Sequence, residues 1–338
     1  MTAACILGCA GPTLSGEEID FFGRTRPWGF ILFGRNIKTP DQVRRLVRAL
    51  RATVGRPDAP VLVDQEGGRV QRFAAPHWRS YPPALAYGRL AADPATRREM
   101  ARLGARLIAH DLASLGVNVD CAPVLDVRAP GSHDIIGDRA YGEDPDEVAF
   151  LARAAAEGLI AGRVLPVIKH IPGHGRAKAD SHLRLPVVKA SLKALEKQDF
   201  APFRALSDMP MAMTAHVVYA AVDPERPATT SPIVIKTVIR ESIGFDGLLI
   251  SDDLSMNALT GDLRSRAEAA LAAGCDIVLH CNGGLSEMKA VAAATHALSD
   301  RSATRAAAAL ARLPTTVEPM DAVKTARFEA VFRHEAAA

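Results

Sequence analysis

The sequence predicts an α/β protein built as a single (β/α)₈ barrel of the TIM type. Three observations carry this expectation. Short runs rich in Val, Ile and Leu recur along the whole chain, each followed by a loop and then an amphipathic helical pattern. The runs are nearly continuous in apolar residues and do not alternate, which suits strands of a parallel sheet covered by helices. There are eight of them, so closure into a barrel is the economical arrangement. An open doubly wound sheet is the structural rival, but no GxGxxG follows the first run.

The predicted strands are Ala4 to Gly8, Gly29 to Phe33, Pro60 to Val63, Val117 to Cys121, Leu165 to Ile168, Ala212 to Ala215, Gly247 to Ile250 and Asp276 to Leu279. Between them, helical periodicity covers Pro40 to Val54, Thr96 to Leu115, Pro145 to Ala161, Leu192 to Ser207 and Leu263 to Ala273. Start signals support the helices: Thr39 precedes Pro40, Ser15 has Glu18 three residues on, and Ser231 precedes Pro232. The main insertions, Ala74 to Pro83 and Ala122 to Pro145, fall on one face. No repeat, linker or shift in composition marks a second unit, so residues 1–338 read as one barrel, with the tail from about residue 314 peripheral and the final HEAAA frayed.

With 338 residues, 48% of them hydrophobic, the chain can bury a large core. A net charge of +3, from 41 basic and 38 acidic residues, with no long basic run, argues against a nucleic-acid partner. Five cysteines without a CxxC pair, most within apolar runs, read as reduced and buried. The N-terminal segment has no basic region and only a short apolar stretch, so neither a signal peptide nor a membrane anchor is expected. A cytoplasmic enzyme without a membrane partner, acting as a monomer, is the default.

A barrel makes one demand on the sequence: chemistry clusters just after the C-terminal ends of the strands. Asp64 to Arg69 follows the third run, a loop with Asp126, Asp138 and Arg139 the fourth, Lys169 and His170 the fifth, His216 the sixth, and Asp252 with Asp253 the seventh. The densest segment is KHIPGHGRAKADSH, Lys169 to His182. Pro172, Gly173 and Gly175 forbid a regular helix through it, so its polar groups must converge by loop geometry. That makes it the expected active-site loop.

Each of these residues also has a plainer reading. A carboxylate at the end of a buried strand, as in ISDDL, is a candidate nucleophile, but either Asp252 or Asp253 could simply cap the following turn. Asp180 lies two residues before His182, a spacing that lets the carboxylate orient the imidazole for proton donation; a surface histidine in a polar loop has the same spacing. His170 and His174 are four apart, as helical metal ligands would be, yet Pro172 and Gly173 break that helix, so no metal is expected. Asp64 with Arg69 and Arg72, and the distant Arg139 and Lys169, form a set able to hold vicinal hydroxyls, or else a ring of salt bridges at the barrel mouth. Of the arginines after the third strand, Arg69 suits the structural part and Arg72 the contact. The pair Gly67-Gly68 alone says little about an anion nest.

In combination the segments are specific. VDQEGGRVQRF (Val63 to Phe73), APVLDV (Ala122 to Val127), IGDRAYGEDP (Ile136 to Pro145), KHIPGHG with DSH, and ISDDLSM (Ile250 to Met256) occur in one order. Together they resemble the bacterial β-N-acetylhexosaminidases of glycoside hydrolase family 3, the single-domain cytoplasmic type that recycles peptidoglycan. The likeness runs from Trp28 to Gly283, while CAGPTLSGEE after the first strand departs from the acidic residue that many relatives carry there.

The resemblance implies roles residue by residue. Asp252 matches the nucleophile, which separates it from Asp253; His182 matches the general acid/base and Asp180 its partner. Asp64, Arg72, Arg139, Lys169 and His170 match the positions that bind terminal N-acetylglucosamine. It implies a retaining enzyme with a covalent glycosyl-Asp252 intermediate, no cofactor, and a carbohydrate substrate, N-acetylglucosamine β-1,4-linked to 1,6-anhydro-N-acetylmuramic acid. Most retaining glycosidases use two carboxylates; here a His-Asp dyad on a mobile loop stands in for one. Gly173 and Gly175 are then the expected source of backbone freedom. Because histidine does not repel phosphate as a carboxylate does, a phosphorylase is the nearest alternative, followed by a broader β-glycosidase and a metal-dependent barrel hydrolase.

Overall fold

In the computed structural model, which describes residues 1–181, 184–298 and 300–333, eight strands close into a barrel. In chain order they are β1 (Ala3–Leu7), β2 (Pro27–Leu32), β3 (Val61–Val63), β4 (Val119–Asp120), β5 (Leu165–Ile171), β6 (Met211–Thr214), β7 (Leu248–Asp253) and β8 (Ile277–His280). Each pairs in parallel with its sequence neighbours, and β1 closes on β8 through Cys5, Ile6 and Leu7 against Val278, Leu279 and His280. All eight predicted runs become strands of this barrel. Its lumen is filled by Ile6, Ile31, Leu62, Val119, Leu165, Val167, Met211, Ile250 and Ile277, all buried, so it is a packed core and not a pore.

The start signals work as the sequence implies. Thr39 accepts from the Gln42 N–H ahead of the helix Pro40–Val54, and Ser15 and Glu18 form a reciprocal capping box. Ser231 Oγ accepts from the Val234 N–H at 3.0 Å. The expected single helix from Leu192 to Ser207 is different in detail. It opens into a π stretch over Leu195–Asp199, where the Phe200 N–H reaches back five residues to the Leu195 carbonyl, and resumes as Ala201–Ala205 with Pro202, which has no N–H to give, in its first turn.

The C-terminal segment lies outside the barrel, yet it is anchored to it. The helix Asp300–Leu310 places Ala306 and Ala309 in the same apolar cluster as the barrel lumen. The last helix, Ala322–Phe332, buries Phe328 and Phe332, and the Phe332 ring meets Tyr87 edge-on at 5.0 Å. All five cysteines are free and buried. Among the described residues no helix is long and apolar enough to cross a membrane.

One correction matters for the site. The fifth strand does not stop at Ile168 but continues through Lys169, His170 and Ile171, so the first residues of the expected loop are strand residues. The loop proper starts at Pro172.

Candidate active site

Strand ends β2, β3, β5, β6, β7 and β8, together with the loop after β4, surround a pocket of about 150 Å³ at the C-terminal mouth of the barrel. Asp64, Arg72, Arg139, Lys169, His170 and Asp252 all line it. Two irregularities aim the side chains. Successive residues of a regular strand point to opposite faces, yet Lys169 and His170 both face the pocket, because the β5–β6 register shifts between Lys169 and Ile171. A second shift, between Ile250 and Asp253 in the β7–β8 pairing, sits where Asp252 reaches the pocket floor.

Three cations and two carboxylates form one buried network. Lys169 Nζ, 2% exposed, donates to Asp64 Oδ1 at 2.9 Å and to Glu66 Oε1 at 2.6 Å. Arg139 grips Glu66 with two hydrogen bonds of 2.8 Å, a bidentate fork, and Arg72 donates to Asp64 Oδ2 at 3.1 Å. Burial pushes both carboxyls up, but the cations outweigh it: Lys169 and Arg72 hold Asp64 well below its usual range, and Arg139 and Lys169 hold Glu66 down at about 2. Burial likewise works against a charged Lys169, and Asp64 and Glu66 overcome it, raising its pKa.

Glu66 is the centre of this network and sequence reasoning overlooked it. A signal was present, since Glu66 stands two residues after Asp64 and short extended segments place i and i+2 on one side. Arg69 takes the structural part: its guanidinium binds Asp138 Oδ1 at 2.8 Å and the carbonyls of Asp134 and Ile135, shaping the loop that presents Arg139.

The two aspartates of β7 separate clearly. Asp253 Oδ1 accepts the N–H groups of Ser255, at 3.1 Å, and Cys281, at 3.0 Å, so it knits the β7 turn to β8. Asp252 Oδ1 accepts only the Asp253 N–H at 2.8 Å, and among the described residues its other oxygen has no hydrogen-bond donor. Burial raises the Asp252 carboxyl, while His216, His170, the Asp253 N–H and Lys169 together bring it below its usual range. The carboxylate at the floor is therefore charged at neutral pH.

His170, His174 and Asp126 hold the base of the loop. Asp126, fully buried, accepts from the backbone N–H of both histidines and faces His170 Nδ1 at 2.7 Å; His174 Nε2 lies 3.1 Å from Ser181 Oγ. Burial brings the His174 imidazole down to about 4, so it is neutral at physiological pH. Ser181 lines the pocket and Asp180 is half-buried beside it, while His182 lies outside the described residues. Among the described residues no cluster of His, Cys, Asp and Glu is arranged to hold a metal ion.

The glycines of this loop sit where a side chain has no room. A Cβ on Gly175 would stand 1.8 Å from the Val127 carbonyl oxygen, and Gly173 has φ +133° with the Asp199 carbonyl oxygen and Cβ each 3.0 Å from any Cβ. Close approach and backbone conformation restrict both positions to glycine. Replacing Gly175 by valine is expected to cost about 2–3 kcal/mol of stability through overpacking, read as a lower midpoint in urea. A Gly175→Val enzyme with unchanged midpoint and reduced kcat would restore the hinge interpretation.

Comparison with known proteins agrees with this architecture. The family model described as glycosyl hydrolase family 3 N terminal domain matches residues 28–315. A β-hexosaminidase of Methylococcus capsulatus is 42% identical over 297 residues, which cover 87% of this chain and 86% of that protein. Native NagZ from Neisseria gonorrhoeae superposes with a TM-score of 0.83 at 33% identity, covering 99% of this chain and 97% of its own, and the same protein is known in complex with N-trifluoroacetyl-D-glucosamine. A family 3 β-N-acetylglucosaminidase from Paenibacillus sp. gives a TM-score of 0.86 at 31% identity, covering 97% of this chain and 66% of that one. With that extent of match, the chain belongs to glycosyl hydrolase family 3, among its β-N-acetylhexosaminidases.

Proposed function

We propose that the protein is a retaining β-N-acetylglucosaminidase that removes terminal N-acetylglucosamine from 1,6-anhydro-muropeptides in peptidoglycan recycling. The observation that carries the reading is Asp252, a charged carboxylate on the pocket floor with one oxygen uncommitted among the described residues. In the first half-reaction that oxygen forms a bond to the anomeric carbon as the bond to the leaving oxygen breaks. His182 gives its proton to the departing oxygen, and Asp180 steadies the imidazole. In the second, His182 takes a proton from water, the water oxygen bonds to the anomeric carbon, and Asp252 leaves with its electron pair. Two displacements restore the original configuration.

Asp64, Arg72, Arg139, Lys169 and His170 would hold the terminal sugar. Because Lys169 and Arg139 are already locked to Asp64 and Glu66, their remaining donors need little reorganisation on binding. Basic side chains at the mouth, Arg69 and Arg72 among them, suit an acidic muropeptide. In this reading the enzyme works as a cytoplasmic monomer, residues 1–338 acting as one catalytic unit without a cofactor.

The test is a substrate panel: p-nitrophenyl N-acetyl-β-glucosaminide, the corresponding β-glucoside, and N-acetylglucosaminyl-1,6-anhydro-N-acetylmuramic acid with and without its peptide, each with and without inorganic phosphate. Rapid cleavage of the acetamido substrates only, releasing free N-acetylglucosamine in either buffer, is expected. Equal cleavage of the glucoside would make it a broad β-glycosidase, and a sugar phosphate among the products would make it a phosphorylase.

A further inference from the structure

We infer that Asp126 sets the tautomer of His170, so that Nε2 faces the pocket as a hydrogen-bond acceptor and selects a sugar hydroxyl that donates to it. This rests on the proposed placing of the terminal sugar beside His170, and the argument comes from the two neighbours of the ring. Asp126 is fully buried and its Oδ1 is met by two backbone N–H donors, which favour the carboxylate, so it can only accept. Its Oδ2 lies 2.7 Å from His170 Nδ1, which must therefore carry the proton. On the other side of the ring, Arg139 Nη2 lies 3.5 Å from Nε2, and a guanidinium can only donate. Both neighbours require the same tautomer, with Nδ1 protonated and a lone pair on Nε2 directed into the pocket.

The same carboxylate also ties this ring to the loop. Asp126 Oδ1 accepts the N–H groups of His170 at 3.2 Å and His174 at 2.6 Å. This makes Asp126→Asn a selective probe. The oxygen of the introduced amide is required by those two backbone donors, so its nitrogen is left facing Nδ1. That nitrogen would then donate to Nδ1, move the ring proton to Nε2 and set it against the Arg139 guanidinium. Backbone contacts survive while the ring's polarity towards the pocket is reversed. Asp126 is thus a positioning residue, acting through His170.

Imidazole ¹⁵N spectra of histidine-labelled protein report which nitrogen is protonated. In the wild type, His170 should show a pyrrole-type Nδ1 and a pyridine-type Nε2, and Nε2 should shift on saturation with N-acetylglucosamine. In Asp126→Asn the two types should exchange, with KM for p-nitrophenyl N-acetyl-β-glucosaminide raised about tenfold and kcat changed less. A protonated Nε2 in the wild type overturns the proposal without any variant, so it stays testable if Asp126→Asn does not fold. Exchanged tautomers with a wild-type KM, or a raised KM with unchanged tautomers, would also overturn it. Wild-type protein that cleaves no N-acetyl-β-glucosaminide would instead refute the proposed function, while the spectra would still decide the tautomer.

Discussion

Asp252→Asn is expected to lower kcat on p-nitrophenyl N-acetyl-β-glucosaminide by about 10⁴-fold, in line with losses measured when one member of a catalytic set is removed. An amide oxygen is a poor nucleophile and cannot hold the covalent sugar intermediate. The fold should be unaffected, because the asparagine oxygen can still accept the Asp253 N–H that Asp252 accepts at 2.8 Å. An unchanged melting temperature would therefore accompany the loss of turnover. Asp253→Asn gives the contrast: Asp253 joins the β7 turn to the Cys281 N–H, so its replacement should affect stability more than chemistry. If Asp252→Asn kept most of its activity, the attacking group would be another carboxylate or the substrate's own acetamido oxygen. Two further aspartates of the site, Asp64 and Asp126, are already engaged by Lys169, Arg72 and His170.

The second large effect is expected at Glu66. Glu66→Gln keeps the shape and removes the charge, leaving Lys169 and Arg139 to share Asp64 alone in a buried setting. Removing one partner from a buried ion pair leaves the other charge uncompensated, and about 3 kcal/mol of stability should be lost, read from denaturant midpoints. The pH dependence follows from the same carboxyl. Its pKa falls from the ordinary 4.5 to about 2 on folding, so its contribution is fully present above pH 4.5 and disappears as pH drops from about 4.5 towards 2. Asp64, also depressed, adds to the loss in the acid range. Wild type should thus lose stability steeply with acid, and Glu66→Gln should lose less over the same interval. Parallel curves for the two proteins would show that Glu66 is not what the cations depend on.

Much of this protein could be read directly from its residues. The eight strands were legible because strands buried on both faces leave uninterrupted apolar runs, and the helices because Thr39-Pro40 and the Ser15/Glu18 box are local signals that need no partner. The pocket residues were legible for the same topological reason: in a parallel barrel every strand delivers its C-terminal end to one face.

Glu66 looked like one more polar residue before a Gly-Gly turn, and only the barrel puts it between Lys169 and Arg139, 103 and 73 residues away in sequence. Gly175 read as a flexible joint, and only the fold shows that a carbonyl from another loop leaves no room there for a side chain. His170 was legible as a pocket residue but not as an acceptor, since that depends on Asp126 and Arg139 meeting it from opposite sides. The sequence by itself determined the strand and helix pattern and which strand ends carry polar groups, because periodicity and capping act over a few residues. Tertiary structure alone decided charge partners, tautomer and close packing, because those depend on distances between segments that sequence spacing does not encode.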